Sequence, residues 1–441
     1  MRNLWTRQQF LRSLIAGVIL ISYPSGSVAH AENLVIHAGV LIDGVSPQPR
    51  EHVTIEVHGD RIFAIRDGFD APVGMRVIDL EGYTVLPGLI DTHVHLFSTP
   101  GRGNPVANRV THSAFDRAYD AAANARLTLE AGFTSVRDLG NLEGPAAAAV
   151  ALKHAIDNGT VSGPRLWVAG VPLGPTGGHS DLHNGLDPGL DDPTWSAMII
   201  DGPEAAIRAV RELKREGVDV IKIMPSGGVI SINDDPDAVL MSDAEIGAVV
   251  QTAHSLGLKV AAHAHGTAAI NNSVRLGVDS IEHGSFATDA SFAAMKAHGT
   301  YLVPTLLVAD VGAGIAREHP ELLNPSSAAK ALRIAPVVTA NLGRAYRAGV
   351  KIAFGTDAGL PAHGTNAREF SLLVRAGMTP MDAIFSATRN AADLIGASDR
   401  IGSIATGRYA DIIAVSGDPL QDISVLNQVF FVMKGGFIIK K

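Results

Sequence analysis

The sequence predicts an α/β protein: a (β/α)8 TIM barrel with a composite β-sandwich domain built from both chain ends. Three observations carry this. Between residues 86 and 378, apolar strand-like runs alternate with helical patterns, the signature of a parallel sheet. Eight such runs fit in about 280 residues, the span expected of a closed (β/α)8 unit. Short alternating runs lie on both sides of that region, and the pair at the C-terminal end has no neighbours to join except the strands at the N-terminal end.

Residues 1–31 read as a signal peptide. Arg2, Arg7 and Arg12 precede the apolar run Leu14–Tyr23, and Ala29-His-Ala31 offers a small-x-small cleavage site. The run is shorter than the ~20 residues a membrane span needs. A mature chain starting near Glu32 and exported to the periplasm or medium is therefore expected. The net charge is −8, and removal of residues 1–31, with three arginines and no acidic residue, moves it to −11. An acidic body with no basic run argues against nucleic acid or an anionic membrane as partner. There is no cysteine, so stability rests on the core and any metal must take nitrogen and oxygen ligands.

Residues 32–85 form the first half of the sandwich. Leu34–His37, Val53–Val57, Arg61–Ile65 and Val77–Leu80 alternate, and His58-Gly-Asp60 between two of them is a hairpin signal. No titratable cluster occurs there. Residues 86–378 form the barrel. After the strand ending in His93 and His95, the predicted strands are Thr134–Asp138, Arg165–Ala169, Val218–Ile223, Lys259–His263, Ser280–His283, Tyr301–Thr305 and Lys351–Asp357. Ser242-Asp-Ala-Glu245 is a capping box opening a helix that stops near Gly257. Residues 379–441 supply a terminal helix, opened by Thr379-Pro-Met-Asp382 and running to about Ile395. The remaining strands, Asp411–Val415 and Val429–Met433, complete the sandwich.

Barrel enzymes place their chemistry at the C-terminal ends of strands. Alternation along a strand puts His93 and His95 on one face, able to converge on one metal ion. The fourth strand carries Lys222, the fifth His263 with His265 two residues on, the sixth His283, and the eighth Asp357. Six such groups on strand ends that a closed barrel gathers together indicate a metal site. Lys222 lies among apolar residues, where an unpaired ammonium is costly. Either it is a carbamate formed with CO2, with two oxygens for two ions, or it pairs with Asp357 or a substrate carboxylate.

These motifs resemble the amidohydrolase superfamily. The matching stretches are Pro87-Gly-Leu-Ile-Asp-Thr-His-Val-His95, Ile221-Lys-Ile223, Ala262-His-Ala-His-Gly266, Ile281-Glu-His-Gly284, Gly355-Thr-Asp-Ala-Gly359 and Gly402-Ser-Ile-Ala-Thr-Gly-Arg-Tyr-Ala-Asp411. Within it the chain is similar to the prolidase-like group that hydrolyses dipeptides, N-acyl amino acids and, in some members, ochratoxin. The resemblance implies two divalent ions, with His93, His95 and Asp357 on the more buried one, His263 and His283 on the other, and carbamylated Lys222 between them. Zinc suits this donor set, and manganese or cobalt would fit similar ligands. It also implies attack by a metal-bridging hydroxide, with Asp357 moving the proton to the leaving nitrogen. His283 and His265 are further catalytic candidates. His265 is also the alternative to His263 as ligand, although position at the strand end favours His263.

His179, in Gly174-Pro-Thr-Gly-Gly-His-Ser180, and Ser98, just past the histidine pair, are candidates for substrate contact. Arg102, Arg109, His179 and His363 are eligible to meet a substrate carboxylate. The expected partner is a small-molecule amide, and the expected assembly a homo-oligomer. A lactonase or esterase, a deaminase on the same scaffold, and a non-catalytic assembly protein of this fold are the alternatives. Deaminase relatives usually lack the fourth-strand lysine and carry a glutamate shortly after the fifth-strand histidine, whereas this chain has Lys222 and Ala264-His-Gly266.

Overall fold

The computed structural model describes residues 32–101, 108, 111–141, 144–187, 189, 198–232 and 234–441. The expected signal peptide, Arg102 and Arg109 lie outside the described residues. Four strands open the chain: β1 (Leu34–Leu41), β2 (Arg50–His58), β3 (Arg61–Asp67) and β4 (Arg76–Pro87). β2 and β3 meet at Gly59-Asp60 with His58 opposite Arg61, and Gly59 takes the positive φ (+57°) that so tight a turn requires. β1 runs antiparallel to β2 and parallel to β4, which sets Ile36 opposite both Ile55 and Ile78. That row is buried on one face and joins the core of this sheet.

The barrel begins one residue after β4. Its elements are β5 (Leu89–Val94), α1 (Ala114–Glu130), β6 (Phe133–Asp138), α2 (Ala146–Asp157), β7 (Arg165–Val168), α3 (Pro203–Glu216), β8 (Val220–Ile223), α4 (Asp243–Ser255), β9 (Lys259–Ala264), α5 (Thr267–Arg275), β10 (Ser280–His283), α6 (Asp289–His298) and β11 (Tyr301–Val303). The local signals are where the sequence places them. Ser242 and Glu245 form the reciprocal capping box of α4, and Gly217 at φ +100° ends α3. Two helices follow β11, α7 (Leu306–Glu318) and α8 (Pro325–Arg347), an excursion that the sequence reading did not resolve.

The parallel strands form two arcs, β5-β6-β7 and β8-β9-β10-β11. At one seam Leu173, past β7, bridges Ile223. At the other, residues 351–358 bridge Ile352 to Leu302 and Ala358 to Val94. This eighth segment is not a regular strand as expected. Its amides from Thr356 to Asp357 both turn to the carbonyl of His93, at 3.3 and 2.7 Å, and Asp357 has φ +57°. Gly355 permits that approach, since a Cβ there would fall 2.9 Å from the Cβ of His93.

α9 (Arg368–Arg375), α10 (Pro380–Ser386) and α11 (Arg389–Leu394) follow. The helix expected from Thr379 to Ile395 is thus broken near Ala387. The carbonyls of Ser386 and Ala387 accept instead from Phe354 and Ile90, at 3.0 and 2.8 Å, tying the break to the barrel. The chain closes with β12 (Ile412–Val415), β13 (Val429–Lys434) and β14 (Phe437–Lys440). β12 pairs with β4, so both chain ends share one seven-stranded sheet in the order β14-β13-β12-β4-β1-β2-β3. Arg61 of β3 also bridges Tyr409, just before β12, so the sheet curls back on itself around its core. Among the described residues no helix is long and apolar enough to cross a membrane.

Candidate metal centre and active site

The predicted residues converge. His263, His265 and His283 have ligand atoms within 4.8 Å of one another, and so do His93, His283 and Asp357. The histidine rings of 93 and 95 are 5.3 Å apart, as are those of 93 and 283, while His265 stacks on His283 at 4.8 Å. His283 and Asp357 are both left-handed, at φ +71° and +57°, and Thr305 beside them is at +49°. Strained backbone of this kind persists where surrounding structure enforces it, and it clusters at functional sites. At His283 it has a direct use. Strict alternation would point Glu282 and His283 to opposite faces, yet Glu282 accepts from Nδ1 of His93 at 2.8 Å and His283 reaches the same ring from the strand end.

Hydrogen bonds to the ring nitrogens of His93, His95 and His283 engage Nδ1, whereas in His263 it is Nε2 that faces a carbonyl, that of Gly227 at 3.2 Å. Nδ1 of His95 faces the carbonyl of Gly140 at 2.8 Å, and Nδ1 of His93 faces the Glu282 carboxylate, so both nitrogens carry the proton. Thr305 donates its hydroxyl to the carbonyl of Pro304, leaving its oxygen to accept from Nδ1 of His283 at 2.7 Å. In the neutral rings of His93, His95 and His283 the Nε2 atoms therefore carry lone pairs. Those of His95 and His93 lie 3.1 and 3.4 Å from Oδ1 of Asp357. Lone pairs turned toward a carboxylate oxygen require a cation or a shared proton between them. The donor set thus fits a divalent ion.

Electrostatics agree for four of the five histidines; at His95 burial is outweighed by Asp357, which raises the imidazole above its usual value. Burial holds His93 down at about 4 with help from the charge of Lys222, and depresses His265 to about 3 and His263 and His283 well below their usual value. These imidazoles are neutral, the form that binds metal. Burial pushes the Asp357 carboxyl up, but His93, His95 and His283 outweigh it and hold the group well below the carboxylate range. Lys222 is 1% exposed, and burial lowers its ammonium to about 8. Among the described residues it has no ion pair, Asp357 included.

A buried polar layer supports the ligands. Arg137 donates to the carbonyl of Thr92 at 2.6 Å, to Ser280 at 3.1 Å and to Glu282 at 2.9 Å. Burial raises the Glu282 carboxyl, yet Arg137 and His93 bring it to about 2. Asp91 accepts from Thr356 Oγ1, Asn366 Nδ2 and the amide of His93 at 2.6, 2.8 and 3.0 Å, which pins β5 to the eighth segment. Sequence reading missed Arg137, Glu282 and Thr305. A charged residue inside an apolar strand run was the available signal for the first two.

Of the substrate candidates, His179 sits against the cluster, its ring stacked on His263 at 4.4 Å. Burial holds it at about 4, and the charges of Asp234, Lys222 and Asp357 all act on it. Ser98 is exposed; its carbonyl accepts from Nε2 of His363 at 2.9 Å. His363 therefore keeps no proton on Nδ1, which is buried without a partner, and in its neutral form has no free donor for a carboxylate.

The barrel, its flanking sheet and the strand-end donor set define a hydrolase of the amidohydrolase family, and the chain belongs to that family, whose model matches residues 84–441. It is a hydrolase acting on amide bonds. The chain is 33% identical to ochratoxinase of Aspergillus niger over 94% of its own length and 88% of the relative's. It superimposes on a Xaa-Pro dipeptidase with methionine bound in the active site, at a TM-score of 0.88 and 38% identity, covering 93% of this chain and all of the other. A prolidase complexed with N-methylphosphonate-L-proline matches at a TM-score of 0.85 and 33% identity, with the same coverage.

Proposed function

We propose that the protein is a binuclear zinc amidohydrolase that cleaves the amide of a dipeptide or N-acyl amino acid, ochratoxin-type amides included. The observation that carries this reading is the lone-pair arrangement, with three imidazoles whose Nδ1 protons are engaged elsewhere and whose Nε2 atoms converge with Asp357. The relatives support the substrate class, being by name an ochratoxinase, a Xaa-Pro dipeptidase and a prolidase.

His93, His95 and Asp357 would hold one ion and His263 and His283 the other, with Lys222, as a carbamate, between them. When bound, the ions supply Lewis acidity toward the scissile carbonyl and toward a water. Asp357 takes the proton as attack begins and returns it to the nitrogen, which leaves as an amine rather than an amide anion. His265, its Nδ1 engaged by Ser285 at 2.7 Å, lines the same pocket beside His283. The depressed ammonium of Lys222 favours the carbamate, because the neutral amine is the form that reacts with CO2. The reading also includes cleavage after residue 31, export and a homo-oligomeric assembly.

The test is a screen of the zinc-loaded protein against dipeptides, N-acyl amino acids, lactones and phosphotriesters. Hydrolysis of amides is the expected result. Turnover of lactones or phosphotriesters with none of any amide would overturn the substrate class, and a chain that binds no zinc would overturn the centre itself.

A further inference from the structure

Beside the candidate ligands lies a second buried polar chain, built from three separated parts of the sequence. Lys330 of α8 donates through Nζ to the carbonyl of Ser231 at 2.6 Å, and to the carbonyl and Oδ1 of Asp234, each at 3.2 Å. All three ammonium protons are matched. Ser231 Oγ lies 2.6 and 2.7 Å from the two carboxylate oxygens of Asp234, and 2.7 Å from Nδ1 of His179. A carboxylate only accepts, so the hydroxyl proton goes to Asp234 and the serine oxygen accepts from His179 Nδ1–H. That arrangement fixes the tautomer and leaves Nε2 as an acceptor.

The ring is also held in place by two neighbours. It stacks on His263 and lies against Gly228, where a Cβ would fall 2.1 Å from the imidazole. The Asp234 and Lys330 side chains are 1% and 10% exposed. A buried ion pair is weak evidence for stability but well suited to fixing one geometry. Ser327 and Arg333, three residues to either side on α8, hold the same loop at Ile230, Asp235 and Asp237, so the N-terminal part of this helix is seated on it.

We propose that Lys330 is a positioning residue: through Asp234 and Ser231 it holds His179 in the Nδ1–H tautomer, so that an unprotonated Nε2 is presented beside His263. Such a nitrogen accepts from the N–H of an amide substrate or of the departing amine and has no proton for a carboxylate. The inference rests on the amide-hydrolysing reading for its purpose, but not for its structural content.

The test uses zinc-loaded protein labelled with 15N-histidine, the His179 signal being assigned by its loss in His179→Asn. Wild type should show Nδ1–H, and both Lys330→Met and Ser231→Ala should populate the other tautomer. With a dipeptide substrate, either variant should lower kcat about tenfold, the low end for loss of a residue that orients an active-site histidine, with zinc content unchanged. Neither should lower it further in a His179→Asn background. An Nε2–H tautomer in wild type, or an unchanged tautomer in both variants, would overturn the proposal, as would losses that add to that of His179→Asn. Ser231→Ala removes one hydroxyl and keeps the test available should Lys330→Met fail to fold. Absence of any amide turnover would overturn the functional reading alone, because the tautomer is read without substrate.

Discussion

Oδ1 of Asp357 lies 3.1 Å from Nε2 of His95, whose Nδ1 proton is held by the carbonyl of Gly140. Without a cation between them the two atoms repel or share a proton taken from solvent. Chelation should therefore abolish hydrolysis and lower the thermal midpoint, and zinc should restore both. A site filled at 100 times its Kd contributes about 2.7 kcal/mol. Lys222→Ala should lose metal and activity together, with partial rescue by short carboxylic acids. Full metal content in that variant, measured by elemental analysis, would count against the carbamate.

Gly355 carries the close approach of the eighth segment to β5. An added Cβ would fall 2.4 Å from Cγ1 of Val303 and 2.9 Å from Cβ of His93. Gly355→Ala should cost about 1–3 kcal/mol, as overpacking does, and should weaken metal binding because His93 is one of the displaced groups. A zinc titration against wild type reads the second effect. Unchanged affinity would show that β5 can move without its histidines.

The strand-end residues were legible in the sequence because convergence at one end of a barrel follows from topology alone. Once strands alternate with helices, His93, Lys222, His263, His283 and Asp357 meet whatever lies between them. What supports them was not legible. Glu282 faces the site together with its neighbour His283 only because His283 is left-handed, and nothing in an alternation pattern encodes positive φ at a non-glycine residue. The pairing of Lys330 with Asp234 joins residues 96 apart, through an excursion that no barrel repeat requires. β14 was missed, although Gly435-Gly436 after β13 is a hairpin signal followed by apolar residues.

Arg137 and Glu282 form a fully buried pair beneath the histidines, at 2% and 0% exposure. Removing one partner of such a pair strands the other. Arg137→Met should destabilise by about 3–5 kcal/mol, read by urea unfolding. Glu282→Gln keeps the shape but weakens the acceptor for His93 Nδ1–H, and metal affinity should fall about 10- to 100-fold. Equal affinity in Glu282→Gln would remove Glu282 from the support of the site.

Glu369 is buried and accepts from the amides of Leu306 and Leu307, at 2.9 and 2.6 Å, at the start of α7 beside Thr305. Burial, with Asp91 and Asp310 adding to it, overrides those two donors and raises the carboxyl from its usual 4.5 to about 8. Between these values the folded chain keeps a proton that the unfolded chain has released. Unfolding therefore takes up no proton but loses one, and stability falls as pH rises through this window, by at most about 1.4 kcal/mol per unit for a single group. Glu369→Gln cannot titrate, so its urea-unfolding free energy should decline less than that of wild type between pH 5 and 8. Parallel curves for the two proteins would mean that the carboxyl is already ionised at pH 5, with the helix amides outweighing burial.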